Sequence, residues 1–142
     1  MTIFRFNLAV CALIVAQGVV PVAAQETAPP PRPLHLSSGL TATLAETIWD
    51  DQTNPPETWG RFRYLAPGIA GDAFSFAQVS DDLAQLCREQ AVPAIVAAGR
   101  KVELVVISLS AEPVAFGETR PDLTQYFEAY TITDGDCILE GF

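Results

Sequence analysis

Three glutamates stand where strand alternation would otherwise place apolar side chains. Glu46, Glu128 and Glu140 each lie two positions from an apolar residue on both sides. Side chains alternate between the two faces of a β-strand, so each carboxylate is predicted to share a face with its apolar neighbours. A buried carboxylate is costly unless it is paired or protonated. Arg61 and Arg63 occupy one phase of another strand and could supply the partners.

Three interpretations of these residues remain open. The first is a structural Glu/Arg network, or strand ends whose carboxylates reach water. The second is a cleft of carboxylates and arginines that binds a polar ligand. The third is acid/base work on a glycan by paired carboxylates. The candidate binding residues are therefore Glu46, Arg61, Arg63, Glu128 and Glu140, and no catalytic residue is assigned.

The sequence lacks the residues that nucleophilic catalysis, metal binding and phosphate binding usually require. The single histidine, His35, lies in a proline-rich stretch, so a Ser-His-Asp or Cys-His site inside the domain is not expected. Zinc requires a Cys/His cluster, and Asp134-Gly135-Asp136 lacks the further oxygen ligands of a calcium loop. No glycine-rich loop leads from a strand into a helix. We expect neither a metal nor a cofactor.

The first segment of the chain has the pattern of a secretory signal peptide. Arg5 precedes an apolar run, and small residues before Gln25 predict cleavage after Ala24. Residues 1–24 are therefore assigned as the signal, and no later segment reaches membrane-spanning length. Residues 25–37 are rich in proline and are predicted to form an extended linker. A single domain is expected over 38–142.

The cysteine count favours a disulfide. Cys11 leaves with the signal, and an exported chain that keeps only Cys87 and Cys137 is expected to bridge them. Two separate buried thiols and a redox-active pair are the alternatives, although no C-x-x-C motif is present. The bridge would close a loop of about 50 residues, which the chain-entropy model values at about 4 kcal/mol.

One amphipathic helix is predicted over residues 76–90. Phe76, Val79, Leu83, Leu86 and Cys87 recur at helical spacing and are expected to form its buried face. The neighbouring Asp81-Asp82 pair is expected to be solvated. Pro93 is expected to end this helix or to begin a second short turn.

The remaining periodicity is that of strands. Alternation predicts strands at 40–49 and 59–66 joined by a loop at 50–58, and a strand at 125–133 followed by an Asp134-Gly135 hairpin turn and a strand over 136–142. Residues 102–109 are nearly continuously apolar and indicate a central strand covered on both faces. Val114 and Phe116 fit an edge strand. The expected fold is α+β, a small, mostly antiparallel sheet of order β-β-α-β-β-β with one main helix packed on it, stapled by one disulfide.

Several segments resemble a known family. The stretches RFRYLAPGIA (61–70), DLAQLC (82–87), VVISLS (105–110) and CILEGF (137–142) are similar to short exported alphaproteobacterial proteins classed as a domain of unknown function. The resemblance covers residues 38–142. It implies the layout of a signal followed by a two-cysteine domain, and it implies no activity and no catalytic residue.

Composition narrows the function classes. With 8 basic and 17 acidic residues, the chain has a net charge of −9, which disfavours nucleic acids and anionic membranes as partners. We expect a periplasmic or secreted, non-catalytic binding or interaction protein, whose partner is a basic protein or a polar envelope ligand. The alternatives are a hydrolase acting on an envelope polymer through a Glu/Arg cleft and a structural envelope component.

Overall fold

The computed structural model describes residues 31–53, 56–71 and 73–141, and the predicted signal peptide lies outside these ranges. Six strands form one sheet in chain order: β1 (Leu34–His35), β2 (Thr41–Thr53), β3 (Pro56–Leu65), β4 (Leu104–Ser110), β5 (Gln125–Thr133) and β6 (Asp136–Leu139). The predicted α+β class, mostly antiparallel sheet and element order are confirmed. The added strand is β1, which lies inside the predicted linker and pairs with the start of β2.

Among the strand pairs of the described residues, only the β3–β4 pair is parallel. Parallel neighbours need a crossover connection, and here the helical segment between Phe76 and Ala98 supplies it. This connection brings β4 into the centre of the sheet, as predicted. Its outward side chains are only half-buried, however, so the expectation of full cover on both faces is wrong.

The β2–β3 hairpin is longer than the sequence pattern predicts. Residues 50–53 and 56–58, assigned to a loop, continue the two strands with polar cross-strand partners. Asp51 and Thr58 are register partners, and the Thr58 hydroxyl donates to the Asp51 carboxylate at 2.9 Å. Cross-strand pairs of this kind stabilise a ribbon that has little apolar surface.

The helical segment is α1 (Phe76–Leu86), a wide π-type turn at Cys87–Ala91, and α2 (Val92–Ala98). Ser75 caps α1 in a reciprocal box with Gln78, which satisfies two free N–H groups of the first turn. Pro93 stands in the first turn of α2, where its missing N–H costs nothing, so it begins a second helix rather than ending the chain's helical path.

Two residues of α1 differ from the prediction. Phe76 is 54% exposed and packs its ring against Tyr126 instead of entering the core, because it is the first residue of the helix. Asp82 is fully buried, not solvated. It lies beside Leu83 on the packed face and accepts hydrogen bonds from the backbone N–H and the hydroxyl of Ser38 in the β1–β2 turn.

The core lies between the helices and one face of the sheet, called here the covered face. Alternate residues of β3, β4 and β5 point into it, as period-2 geometry requires. The largest fully buried side chains are Phe62, Ile69, Val79, Leu83, Leu86, Val105, Ile107, Leu109 and Tyr130.

The cysteine pair joins the helical segment to the last strand. Cys87 is buried in the π-type turn and Cys137 lies on β6, with sulfur atoms 1.98 Å apart and Cα atoms 6.2 Å apart. These are distances typical of a disulfide. This geometry confirms the predicted pairing of the two cysteines and the predicted position of the link, between the helical segment and the last strand.

Tyr64 carries a buried hydroxyl without a hydrogen-bond partner in the described part of the chain. Burial raises its pKa to about 12. The unfolded residue ionises near pH 10. The stability associated with the neutral phenol is therefore complete below pH 10 and is lost as the pH rises towards 12, by about 2–3 kcal/mol.

We expect Tyr64→Phe to stabilise the protein by about 1 kcal/mol at pH 7, because it removes a buried unpaired group. The variant should also lose less stability than the natural protein between pH 10 and pH 12. Urea unfolding at both pH values measures the two effects. Tyr126→Phe is the control, since the Tyr126 hydroxyl does have a partner, the carbonyl of Phe74. A Tyr64→Phe protein less stable than Tyr126→Phe at pH 7 would contradict this account.

None of the helices in the described residues is both long and apolar enough to span a bilayer.

Candidate functional site

The face of the sheet opposite the helices is called here the open face. Two rows of register partners cross it from β2 to β5. The first row consists of Glu46, Arg63, Ser108 and Phe127. The second consists of Ile48, Arg61, Val106 and Ala129. Both predicted arginines therefore lie side by side near the middle of this face.

A loop of residues 111–119, called here the crossing loop, lies against the open face. The prediction of an edge strand at Val114 and Phe116 is wrong, because no strand forms there. The carbonyl of Val114 accepts a hydrogen bond from the Arg63 side chain rather than from a neighbouring strand. Gly117 then turns the chain with φ +83°, a left-handed conformation that favours glycine.

The Arg63 side chain joins the crossing loop to the sheet. One of its terminal nitrogens donates to the Glu46 carboxylate at 2.6 Å, and the other donates to the Val114 carbonyl at 2.7 Å. The pairing of Arg63 with Glu46 fits the structural network proposed from the sequence. The Glu46 side chain is 48% exposed, so solvent screens the pair and its contribution to stability is small.

Arg61 has a different environment. Its Nε donates to Asp50 at 2.8 Å, and its guanidinium lies 5.1 Å from the ring centre of Trp59 and 5.4 Å from that of Phe116. Both distances suit cation–π contact. Within the described residues, its two terminal nitrogens donate to no protein acceptor. A guanidinium fixed in this way has a free edge that matches a carboxylate or phosphate.

Two hollows open on either side of the crossing loop. One, of about 280 Å³, is lined by Glu46, Arg63, Ser110, Glu112 and Pro113, among others. The other, of about 260 Å³, is lined by Arg61, Val106, Phe116, Gly117, Glu118 and Phe127, among others. Arg63, Ser108, Val114 and Gln125 border both hollows. The two spaces therefore share a border formed by these four residues.

The three predicted glutamates do not come together. A β-bulge between Leu44 and Glu46 inserts one residue, so Leu44 faces the core while Glu46 faces the open side. The prediction that these two residues share a face is therefore wrong. Glu128 lies on the covered face, and Glu140 follows β6, with its backbone N–H donating to Ala129.

Glu128 sits where the alternation of β5 predicts, on the covered face and 6% exposed. Its carboxylate accepts hydrogen bonds from the hydroxyls of Ser80 on α1 and Tyr130 on β5. Burial, followed by the hydrogen bond to Glu128, raises the pKa of Tyr130 above its ordinary range. Glu128 is thus paired with hydroxyl groups rather than with the arginines considered from the sequence.

Sequence reasoning did not single out Asp50, Trp59, Ser108, Phe116 or Gln125 for this site. Part of the signal was present: Trp59 and Asp50 lie in the same strand phases as Arg61 and Ile48, and Ser108 interrupts the outward phase of an apolar strand. The sequence around Phe116 contains no such signal, because the position of a loop over a sheet does not follow from local periodicity. In the described residues no group of three or more His, Cys, Asp or Glu side chains is placed to hold a metal ion.

Comparison with known proteins gives one match. Residues 14–142 match a family of unknown function (DUF6497). No curated protein and no solved structure matches the chain significantly.

Proposed function

Since this chain belongs to a family of unknown function (DUF6497), we propose a function from its own site: an exported, non-catalytic protein that binds a polar ligand on the open face. The observation that carries the proposal is Arg61. Its guanidinium is held by Asp50 and two aromatic rings, Arg61 lines a hollow, and within the described residues its terminal nitrogens have no protein acceptor. Fixing a charged donor group before the ligand arrives reduces the entropy lost on binding.

The positions of the carboxylates support binding rather than hydrolysis. A glycoside hydrolase needs two carboxylates that flank one bond. Glu46 is on the open face and in an ion pair, whereas Glu128 is buried on the covered face with two hydroxyl partners. These two residues therefore cannot act on the same bond.

Export remains a proposal that rests on the pattern of residues 1–24 and on the cysteine pair at disulfide distance. Disulfides persist in oxidising compartments such as the bacterial periplasm. A ligand taken from the cell envelope or its surroundings is consistent with that location.

We expect small anionic compounds to perturb the nuclear magnetic resonance signals of the open face, in particular the Trp59 indole and the amides of Ser108 and Phe127. Arg61→Gln should weaken such binding about tenfold or more, because a charge-assisted hydrogen bond is lost. Arg100→Gln is the matched control: Arg100 also stacks on a tryptophan, Trp49, at 5.0 Å, but it does not line either hollow. Perturbations confined to surfaces outside the open face would refute the proposed site.

A further inference from the structure

We propose that the open-face ligand is the carboxyl-terminal end of a peptide whose last residue is apolar. This inference rests on the proposed function and specifies its ligand. It depends on four features of the hollow beside Phe127: a free guanidinium edge, a local charge that repels a dianion more than a monoanion, an apolar wall, and an opening through which a chain can leave.

The terminal nitrogens of Arg61 are placed to receive the carboxylate. Only the Nε of this side chain is hydrogen-bonded within the described residues, and the side chain is still 21% exposed. Two parallel N–H groups on one guanidinium edge match the two oxygens of a carboxylate. The hydroxyl of Ser108 and the amide of Gln125 border the same hollow and can donate further hydrogen bonds.

The local charge favours a monoanion over a dianion. Arg61 and Arg63 are accompanied by Asp50 and Glu46, to which they are paired, and Glu118 also lines the hollow. With three carboxylates against two guanidinium groups, a phosphate dianion would meet net repulsion, whereas one carboxylate can bind Arg61 at lower electrostatic cost. The net charge of −9 acts in the same direction at long range.

One wall of the hollow is apolar. Phe116 and Phe127 are 54% and 64% exposed, and Val106, the register partner of Arg61, also lines the hollow. Exposed aromatic rings next to a fixed charge are characteristic of sites that bury an apolar group and orient a polar one. An apolar side chain next to the carboxylate would cover these rings.

The dimensions favour the end of a chain. A volume of about 260 Å³ is smaller than most sites for whole small molecules, which span about 300–1,000 Å³. The hollow is open to solvent rather than enclosed. The residues preceding the terminal one can therefore leave it towards solvent.

The test is a titration followed by nuclear magnetic resonance of the Trp59 indole and the Ser108 and Phe127 amides. The probes are a pentapeptide Gly-Gly-Ser-Gly-Phe with a free carboxyl group, the same peptide amidated, the same peptide ending in glycine, N-acetylphenylalanine and phenyl phosphate. We expect the free-carboxyl Phe peptide to bind about tenfold or more tightly than each of the others. Arg61→Gln should remove the preference for the free-carboxyl peptide over the amidated one, and Arg100→Gln should leave that preference unchanged.

The outcomes separate the two proposals. Equal binding of the amidated and free-carboxyl peptides overturns the requirement for a carboxylate. Equal binding of the peptides ending in glycine and phenylalanine overturns the requirement for an apolar last residue. Tighter binding of phenyl phosphate, or equal binding of N-acetylphenylalanine, overturns the peptide terminus. In each of these cases binding on the open face still stands as the function. If none of these probes shifts an open-face signal but an unrelated anion from a compound library does, only the peptide-terminus inference fails. If no compound shifts an open-face signal, the inference and the proposed function both fail.

Discussion

Breaking the Cys87–Cys137 link should lower the melting temperature by about 15 °C. The two residues are separated by 50 positions, and the chain-entropy model gives about 4 kcal/mol for a loop of that length. At this chain length each kcal/mol corresponds to about 4 °C. The link also holds β6, the four-residue edge strand, against the helical segment, so its loss should loosen β6 first.

The measurement compares thermal unfolding of the oxidised protein, the reduced protein and a Cys87→Ala/Cys137→Ala variant. The double variant should melt near the reduced protein and should not respond to reductant. The intact mass under non-reducing conditions of protein purified from its own host tests the compartment as well. A chain that begins at Gln25 and is two hydrogens lighter than the reduced form supports both export and the disulfide. A shift below about 3 °C on reduction would show that the link contributes little.

Removing the Glu128 carboxylate should cost about 3 kcal/mol of stability. Glu128 is 6% exposed and is the acceptor for the hydroxyls of Ser80 and Tyr130. Glu128→Ala leaves both hydroxyls without that acceptor and opens a cavity on the covered face, and each effect is destabilising by about 1–3 kcal/mol. The carboxylate thus connects α1 to β5, and its loss should be felt across the helix–sheet interface.

Urea unfolding of Glu128→Ala, Glu128→Gln and Glu46→Ala provides the comparison. Glu128→Gln keeps the shape and one acceptor oxygen, so it should lose less stability than the alanine variant. Glu46→Ala removes a half-exposed ion pair and should change stability by less than about 1 kcal/mol. If Glu128→Ala were no more destabilising than Glu46→Ala, the buried network would not have the structural role assigned to it here.

These two predictions bear on the hypotheses made from the residues alone. Three glutamates stand at strand positions where apolar residues are expected, which is compatible with either a structural network or a binding cleft. The structure divides them: Glu128 belongs to a buried network, while Glu46 and the two arginines are on the open face. The predicted Glu/Arg pairing is found for Glu46 with Arg63, whereas Glu128 pairs with hydroxyl groups instead. The binding interpretation is retained, as a proposal, for the surface around Arg61.

The features that could be predicted are those that depend on the spacing and the chemical type of residues close together in the sequence. Residues Val79, Leu83, Leu86 and Cys87 were placed on the packed face of a helix because a spacing of three or four residues puts side chains on one side. The two-residue turn at Asp134-Gly135 followed from its dipeptide, whose φ angles of +52° and +86° suit this turn. The partnership of Cys87 with Cys137 followed from there being two cysteines left after the predicted signal.

What only the tertiary structure decided depends on contacts between distant residues. One inserted residue near Leu44 turns Glu46 to the open face, because a shift of one position reverses a period-2 pattern. Asp82 is buried because Ser38, 44 positions away, supplies its hydrogen bonds. The hollow at Arg61 exists because Arg63 holds the carbonyl of Val114, 51 positions away. The sequence by itself determined the order of the main elements, most of the helix face and the cysteine pair. The tertiary structure decided which charged groups meet and which remain free, since register and loop placement are set by long-range packing.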